Sequence, residues 1–183
     1  MTRSRYVGVC LAALACGPPA GDPAGAALRP EWEPAVYAAA YAAFARGGGA
    51  RGAADTVLVL AATRPWEHGG QAADARRALA GAVPGALADA YVRANAAPAR
   101  LAAPPAVPGR AAALVEAYPR AGPGGAPRAA VQFSRPAFSA GGDTAVVEVT
   151  RVCGLVCGRS ELLVLVRGPA GWRRGLSVRN VLF

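Results

Sequence analysis

The sequence predicts an α+β domain in which N-terminal helices pack on an antiparallel four-stranded C-terminal meander. Alanine-rich segments with helical spacing of their large side chains occupy much of the chain between residues 33 and 118. Four β-like runs joined by short turns begin near residue 129, and short connections favour antiparallel neighbours. With 183 residues, the chain is long enough for one domain with a core of its own.

The first predicted element is a helix over residues 33–46, with the sequence EPAVYAAAYAAFAR. Proline in its first turn suits a helix start, and the glycines that follow end it. Tyr37, Tyr41 and Phe44 fall on one face of this helix. Such an aromatic stripe is typical of core residues, so we expect this face to be buried.

The remaining elements follow from composition and turn residues. The middle of the chain predicts a buried strand at 56–63, helices at 72–81 and 84–95, and one or two helical turns at 111–118. The last third predicts the four strands of the meander at 129–133, 144–152, 161–167 and 172–178. Residues 162–166 are uninterruptedly apolar, so both faces of that strand should be covered by the helices upstream.

The charge of the chain is strongly positive, with a formal net value of +9. Every one of the 20 basic residues is Arg, and the arginines are scattered along the sequence. The only adjacent pairs are Arg76–Arg77 and Arg173–Arg174, so no basic run marks a nucleic-acid tail. The pattern predicts a solvated basic surface and no nucleic-acid partner.

The N-terminus has the parts of an export signal. Arg3 and Arg5 precede a ten-residue apolar stretch that ends at Ala15, too short to cross a bilayer. We therefore predict a signal peptide at 1–15, a flexible Pro/Gly-rich tether at 16–30 and a single α+β domain at 31–183. A cytosolic protein with an apolar N-terminal helix is the other interpretation of this segment.

Cys16 decides how the signal is processed. The segment Ala13-Leu14-Ala15-Cys16 resembles the lipobox of bacterial lipoproteins, which implies a diacylglyceryl group on Cys16 and a membrane-bound protein. The lipobox prefers Leu at the position of Ala13 and a small residue at the position of Leu14, so the match is imperfect. The alternative is ordinary signal-peptide cleavage after Ala15, which would give a periplasmic or secreted protein. Cysteine parity favours lipidation, because it leaves Cys153 and Cys157 as an even pair.

Cys153 and Cys157 form a Cys-x-x-x-Cys pair, each followed by glycine, between two predicted strands. Redox sites of the thioredoxin type use Cys-x-x-Cys at a helix N-terminus, and a zinc site needs about four ligands. In an exported protein this context favours a structural disulfide. A redox or metal role for the pair is the alternative, and we predict no cofactor.

His68 is the one histidine of the chain and the one candidate for a catalytic base. A hydrolytic triad would combine it with a serine and a carboxylate. The possible serines are Ser134, Ser139, Ser160 and Ser177, and none lies in a Gly-x-Ser-x-Gly elbow. Glu148 and Glu161 lie on neighbouring predicted strands without the spacing of a paired-carboxylate site. The sequence therefore predicts no catalytic residues.

The stretch from Phe133 to Arg173 resembles a C-terminal pattern of uncharacterised bacterial exported proteins and lipoproteins. Its parts are a Ser-Arg-x-x-Phe turn, an Asp before a strand, a Cys-Gly-x-x-Cys-Gly hairpin and a Gly-Trp turn. The resemblance implies an exported α+β domain and supplies no catalytic residue. We expect a lipid-anchored envelope protein with a non-enzymatic role, binding a protein or an envelope component. The alternative is an envelope enzyme, either a thiol oxidoreductase using Cys153 and Cys157 or a hydrolase using His68.

Overall fold

The computed structural model of the chain describes residues 28–49, 56–65, 69–119, 129–153 and 158–182. These residues form three α-helices and a seven-stranded, mostly antiparallel sheet, so the predicted α+β class is confirmed. The helices are α1 (Glu33–Phe44), α2 (Gly69–Leu79) and α3 (Gly85–Ala94), and a π-helical segment at Ala45–Gly49 continues α1. The strands are β1 (Thr56–Leu60), β2 (Ala111–Val115), β3 (Ala130–Phe133), β4 (Ala137–Phe138), β5 (Thr144–Val152), β6 (Gly158–Gly168) and β7 (Gly171–Leu182).

The sheet joins a small parallel part to a larger antiparallel part. Its strand order is β2-β1-β3-β5-β6-β7, and the short β4 pairs with β5 on the same side as β3. β1 runs parallel to β2 and β3, whereas β5, β6 and β7 are consecutive antiparallel neighbours. The predicted four-stranded meander is not confirmed, because the antiparallel strands belong to this wider sheet of seven.

The prediction of helical turns at 111–118 is wrong. Ala111–Val115 is strand β2, paired with β1 residue by residue from Thr56↔Ala111 to Leu60↔Val115. Alanine favours a helix over other residues by only a few tenths of a kilocalorie per position (about 0.2–0.7 kcal/mol). Pairing along a five-residue ladder outweighs that preference, as tertiary context commonly does.

One face of the sheet is covered by α1. The aromatic stripe Tyr37, Tyr41 and Phe44 is buried there, and the ring centroids of Tyr37 and Phe133 are 4.9 Å apart. Alternate residues of β5 and β6 complete this core, namely Ala145, Val147, Val149, Leu163 and Leu165. The apolar periodicity of α1 thus supplies the helix side of the core.

The opposite face is covered by α2 and α3. Leu79 of α2 and Leu87 and Tyr91 of α3 form a second core with Val146, Leu162 and Val164. These sheet residues are the ones that alternate with the residues facing α1, so β5 and β6 are apolar on both faces.

The long strands give the sheet two ends, about 30 Å apart along β5 at roughly 3.3 Å per residue. At the first end, the Arg167 guanidinium lies 4.4 Å from the ring centroid of Trp32, just before α1. At the second end, the Arg159 guanidinium lies 5.3 Å from the ring centroid of Phe44, where α1 finishes. The described chain begins with Leu28 at the first end, and β5 ends and β6 begins at the second.

Candidate functional site

An aromatic cluster marks the end of the sheet where the N-terminal segment joins the domain. Trp32, Phe138 and Trp172 contact one another, with ring centroids 5.7 Å (Trp32–Phe138), 5.8 Å (Phe138–Trp172) and 6.3 Å (Trp32–Trp172) apart. Phe138 is fully buried, whereas both tryptophans are only partly buried. The cluster therefore connects the buried core of the α1 face to the surface.

Two arginines lie on the Trp32 ring. The guanidinium carbons of Arg29 and Arg167 lie 4.5 Å and 4.4 Å from its centroid, within the range of a cation–π contact. Arg29 also donates a hydrogen bond to the carbonyl of Ala140 at 3.4 Å. We use the name Trp32 patch for the residues Leu28, Arg29, Trp32 and Arg167. Arg173 pairs with Val166 and lies on the opposite face of the β6–β7 hairpin.

A tight turn between β4 and β5 holds the Trp32 ring in place. Gly142 has a φ angle of +70°, and a Cβ at this position would lie 2.5 Å from two ring carbons of Trp32. The neighbouring Asp143 accepts hydrogen bonds from the hydroxyls of Ser139 at 2.6 Å and Thr144 at 3.1 Å. These donors hold the pKa of the Asp143 carboxyl below its usual value.

Two of the candidate serines, Ser134 and Ser160, make buried structural contacts between α3, β5 and β6. Ser134 accepts a hydrogen bond from the Tyr91 hydroxyl at 3.0 Å and another from the backbone N–H of Glu148 at 2.7 Å. Ser160 donates to the Glu148 carboxylate and accepts from Thr150 at 3.1 Å. The side chains of this network are buried, so they tie β5, β6 and α3 together.

Glu148 and Glu161 do not form a paired-carboxylate site. Glu148 lies opposite Leu162, and Glu161 lies opposite Val149, so the two carboxylates belong to opposite faces of the sheet. Glu161 is 1% exposed and forms ion pairs with Arg159 at 3.0 Å and Arg174 at 3.2 Å. Each carboxylate thus has its own structural partners.

The predicted cysteine and histidine sites fall largely outside the described residues. Cys16, His68 and Cys157 all lie there, so the lipidation site, the catalytic alternative and the Cys153–Cys157 link stay predictions. Cys153 is described, and it is half-buried directly after the end of β5. No group of three or more metal-ligating side chains occurs among the described residues, and no helix there is long and apolar enough to cross a bilayer.

Comparison with protein-family models, with curated proteins and with solved structures finds no match to this chain. The sequence predicts a helix that begins at residue 33, directly after Trp32, but it does not predict the Trp32 patch. Arg29 and Arg167 are 138 positions apart in the sequence, and only the antiparallel fold brings them to one ring. The sequence feature that could have indicated the Trp32 patch is the Gly-Gly pair before Asp143, because glycines leave room for an aromatic ring to pack on the turn.

Proposed function

We propose that the protein is an exported, lipid-anchored protein of the bacterial envelope whose α+β domain has a non-enzymatic binding or structural role. It would belong with the exported proteins and lipoproteins that its C-terminal pattern resembles. The single observation that carries the proposal is the register of β5 and β6. This register favours a disulfide between the strand ends, and a disulfide favours folding in an oxidising compartment.

The β5–β6 register supports a disulfide between Cys153 and Cys157. The ladder runs regularly to its last pair, Val152↔Gly158. If the same register continued for one further residue on each strand, Cys153 and Cys157 would be directly opposite each other. Opposed residues of an antiparallel pair have Cα atoms about 4.5–5.5 Å apart, inside the range of about 4.4–6.8 Å that a disulfide spans. A disulfide at this position favours an oxidising compartment outside the cytoplasm.

The predicted tether supports anchoring at the first end of the sheet. Residues 17–27 separate the predicted lipid site, Cys16, from Leu28, where the described domain begins. A flexible chain of this length spans about 20 Å on average, taking roughly 5–6 Å times the square root of the residue number. A lipid on Cys16 would therefore keep the Trp32 patch close to the bilayer.

The polar contacts of the domain favour a non-enzymatic role. Ser134, Ser160 and Ser139 hydrogen-bond within the fold, and Glu148 and Glu161 lie on opposite sheet faces. Catalysis needs a nucleophile, a base and a binding cleft that converge on one point. Among the described residues, these serines and glutamates make structural contacts and do not converge on one point, which supports a binding or structural role.

Intact-mass analysis of the protein isolated from bacterial membranes tests this proposal. We expect a mature chain that begins at Cys16 and carries a lipid mass, and we expect Cys153 and Cys157 to react with iodoacetamide only after reduction. A Cys16→Ser variant should leave the membrane fraction while keeping the disulfide. A chain that retains Met1 and carries freely reactive thiols would overturn the proposal.

A further inference from the structure

We infer that the outer edge of β2 pairs with β2 of a second copy of the protein, antiparallel about a twofold axis at Ala113. The pairing would join the two seven-stranded sheets into one continuous sheet. It is a contact between two folded domains, so it goes beyond the proposed function and does not depend on the lipid anchor.

The outer side of β2 has no strand partner within the described part of the chain, where β2 is the first strand of the sheet and pairs with β1. Residues of a parallel strand direct their backbone groups alternately to its two sides. Val115 accepts a hydrogen bond from the N–H of Ala61 just after β1, so Val115 and Ala113 face β1. The N–H and C=O groups of Ala112 and Leu114 therefore point away from the sheet.

The two edges of the sheet differ in how they are protected against pairing. At the β7 edge, the ladder with β6 contains two register shifts, and Arg173 and Arg174 are exposed. Bulges and charged side chains of this kind keep an edge from pairing with another chain. β2 has the sequence AAALV, without a charge or a proline, and it pairs regularly with β1 over all five residues. β2 is therefore the edge that is suited to receive a further strand.

The backbone directions restrict the register of such a pair. In an antiparallel ladder, two opposed residues must both face the new partner or both face away from it. An axis at Ala113 satisfies this condition and includes all five residues of β2. Its pairs are Ala111 with Val115 and Ala112 with Leu114, and the second pair exchanges both of its backbone hydrogen bonds. An axis at a neighbouring residue would shorten the ladder.

The same register sets opposite charges against each other at both ends of the ladder. The exposed Arg110 precedes β2 and the exposed Glu116 follows it, so each Arg110 side chain would lie opposite Glu116 of the other copy. The N–H of Arg110 is donated to Val107, so Arg110 acts through its guanidinium. Glu116 also forms an exposed ion pair with Arg100, and a carboxylate has room for further donors. The edge is thus self-complementary, which favours a second copy over an unrelated strand.

Disulfide cross-linking of the full chain tests the register. The two Ala113 residues would have Cα atoms about 4.5 Å apart, which a disulfide can span, whereas the two Ala111 residues would lie about 13 Å apart. Under mild oxidation we expect Ala113→Cys to give a covalent dimer on non-reducing electrophoresis. Ala111→Cys is the matched control, because Ala111 is the more exposed of the two and should stay monomeric. Equal cross-linking of both variants, or of neither, overturns the inference.

Charge reversal tests the self-complementarity. In sedimentation equilibrium of the full chain in detergent, Arg110→Glu and Glu116→Arg should each raise the Kd of the dimer about 25-fold, at about fivefold for each of the two contacts. An equimolar mixture of the two variants has opposite charges at both contacts, so it should dimerise like the unchanged protein. Arg93→Glu makes the same charge change as Arg110→Glu on α3 and should leave the Kd unchanged. A mixture that dimerises no more tightly than either variant alone overturns the inference.

Discussion

At the scale of single residues, Gly142 shows how one position shapes the surface. Its positive φ forms the turn before β5, and its missing side chain leaves room for the Trp32 ring. The guanidinium groups of Arg29 and Arg167 lie on the same ring. Gly142, more than 100 positions after Trp32 in the sequence, therefore sets the geometry of the patch.

We expect Gly142→Ala to lower the free energy of unfolding by about 3 kcal/mol. The left-handed backbone costs a non-glycine residue about 1 kcal/mol, and the clash with Trp32 adds overpacking. Gly109→Ala is the control, since Gly109 also has a φ of +70° but nothing within 4 Å of its Cβ position, and it should cost only about 1 kcal/mol. Thermal unfolding measures both. Equal losses would contradict the role of the Trp32 contact.

Asp143 should make part of the stability depend on pH. Its pKa is lower in the folded protein than in the unfolded chain because Ser139 and Thr144 donate to the carboxylate. Its stabilisation is therefore complete above the unfolded pKa and disappears as the pH falls through the folded pKa. In unfolding experiments, Asp143→Asn should be less stable than the unchanged protein at neutral pH, and this gap should narrow in acid below about pH 4. A difference in unfolding free energy that stays constant with pH would contradict a stabilising role of the Asp143 charge.

At the scale of elements, the sequence predicts best where periodicity and tertiary packing agree. The aromatic stripe on α1 predicts a helix whose three large rings are buried, and the predicted strand at 144–152 coincides with β5. Residues 111–115 were expected to be helical because their alanines dominate the local preference, whereas pairing with β1 makes them a strand. Pairing partners are non-local, so a single short window does not contain them.

The β5–β6 hairpin should lose a modest amount of stability without the proposed Cys153–Cys157 disulfide. The closed loop spans only residues 153–157, so the entropy model gives about 2 kcal/mol. We expect Cys153→Ala/Cys157→Ala to lower the unfolding free energy by about that amount while leaving the fold intact by circular dichroism. Dithiothreitol should produce the same loss in the unchanged protein and none in the variant. A loss on reduction in both proteins would contradict the assignment.

At the scale of the whole molecule, the two halves of the sheet differ in how far the sequence predicts them. The antiparallel strands after residue 129 are predicted from their short connections, whereas the parallel pairing of β1 with β2 and β3 spans long intervening segments and is missed. The Trp32 patch is missed for the same reason, since it joins the N-terminal segment to the β6–β7 turn. Both depend on long-range contacts that leave no local pattern.

The net charge of the whole chain should make its stability rise with salt. A formal charge of +9 repels itself in the compact state, and three of the six ion pairs among the described residues are exposed and contribute little. We expect the Tm to rise between about 10 mM and 150 mM NaCl, as the Debye length shortens from roughly 30 Å to 8 Å. The Arg76→Gln/Arg93→Gln variant should show a smaller rise. A Tm that falls with added salt would contradict the expectation.

The order of the strands also constrains how the chain reaches its fold. α1 comes first in the sequence, but much of the core it packs against lies in β5 and β6, about a hundred residues later. Contacts of such high sequence separation form late and slowly. During synthesis from the N-terminus, most of the surface that α1 packs on therefore emerges only with the last third of the chain. The core under α1 is therefore completed only at the end of synthesis, when β5, β6 and β7 have emerged.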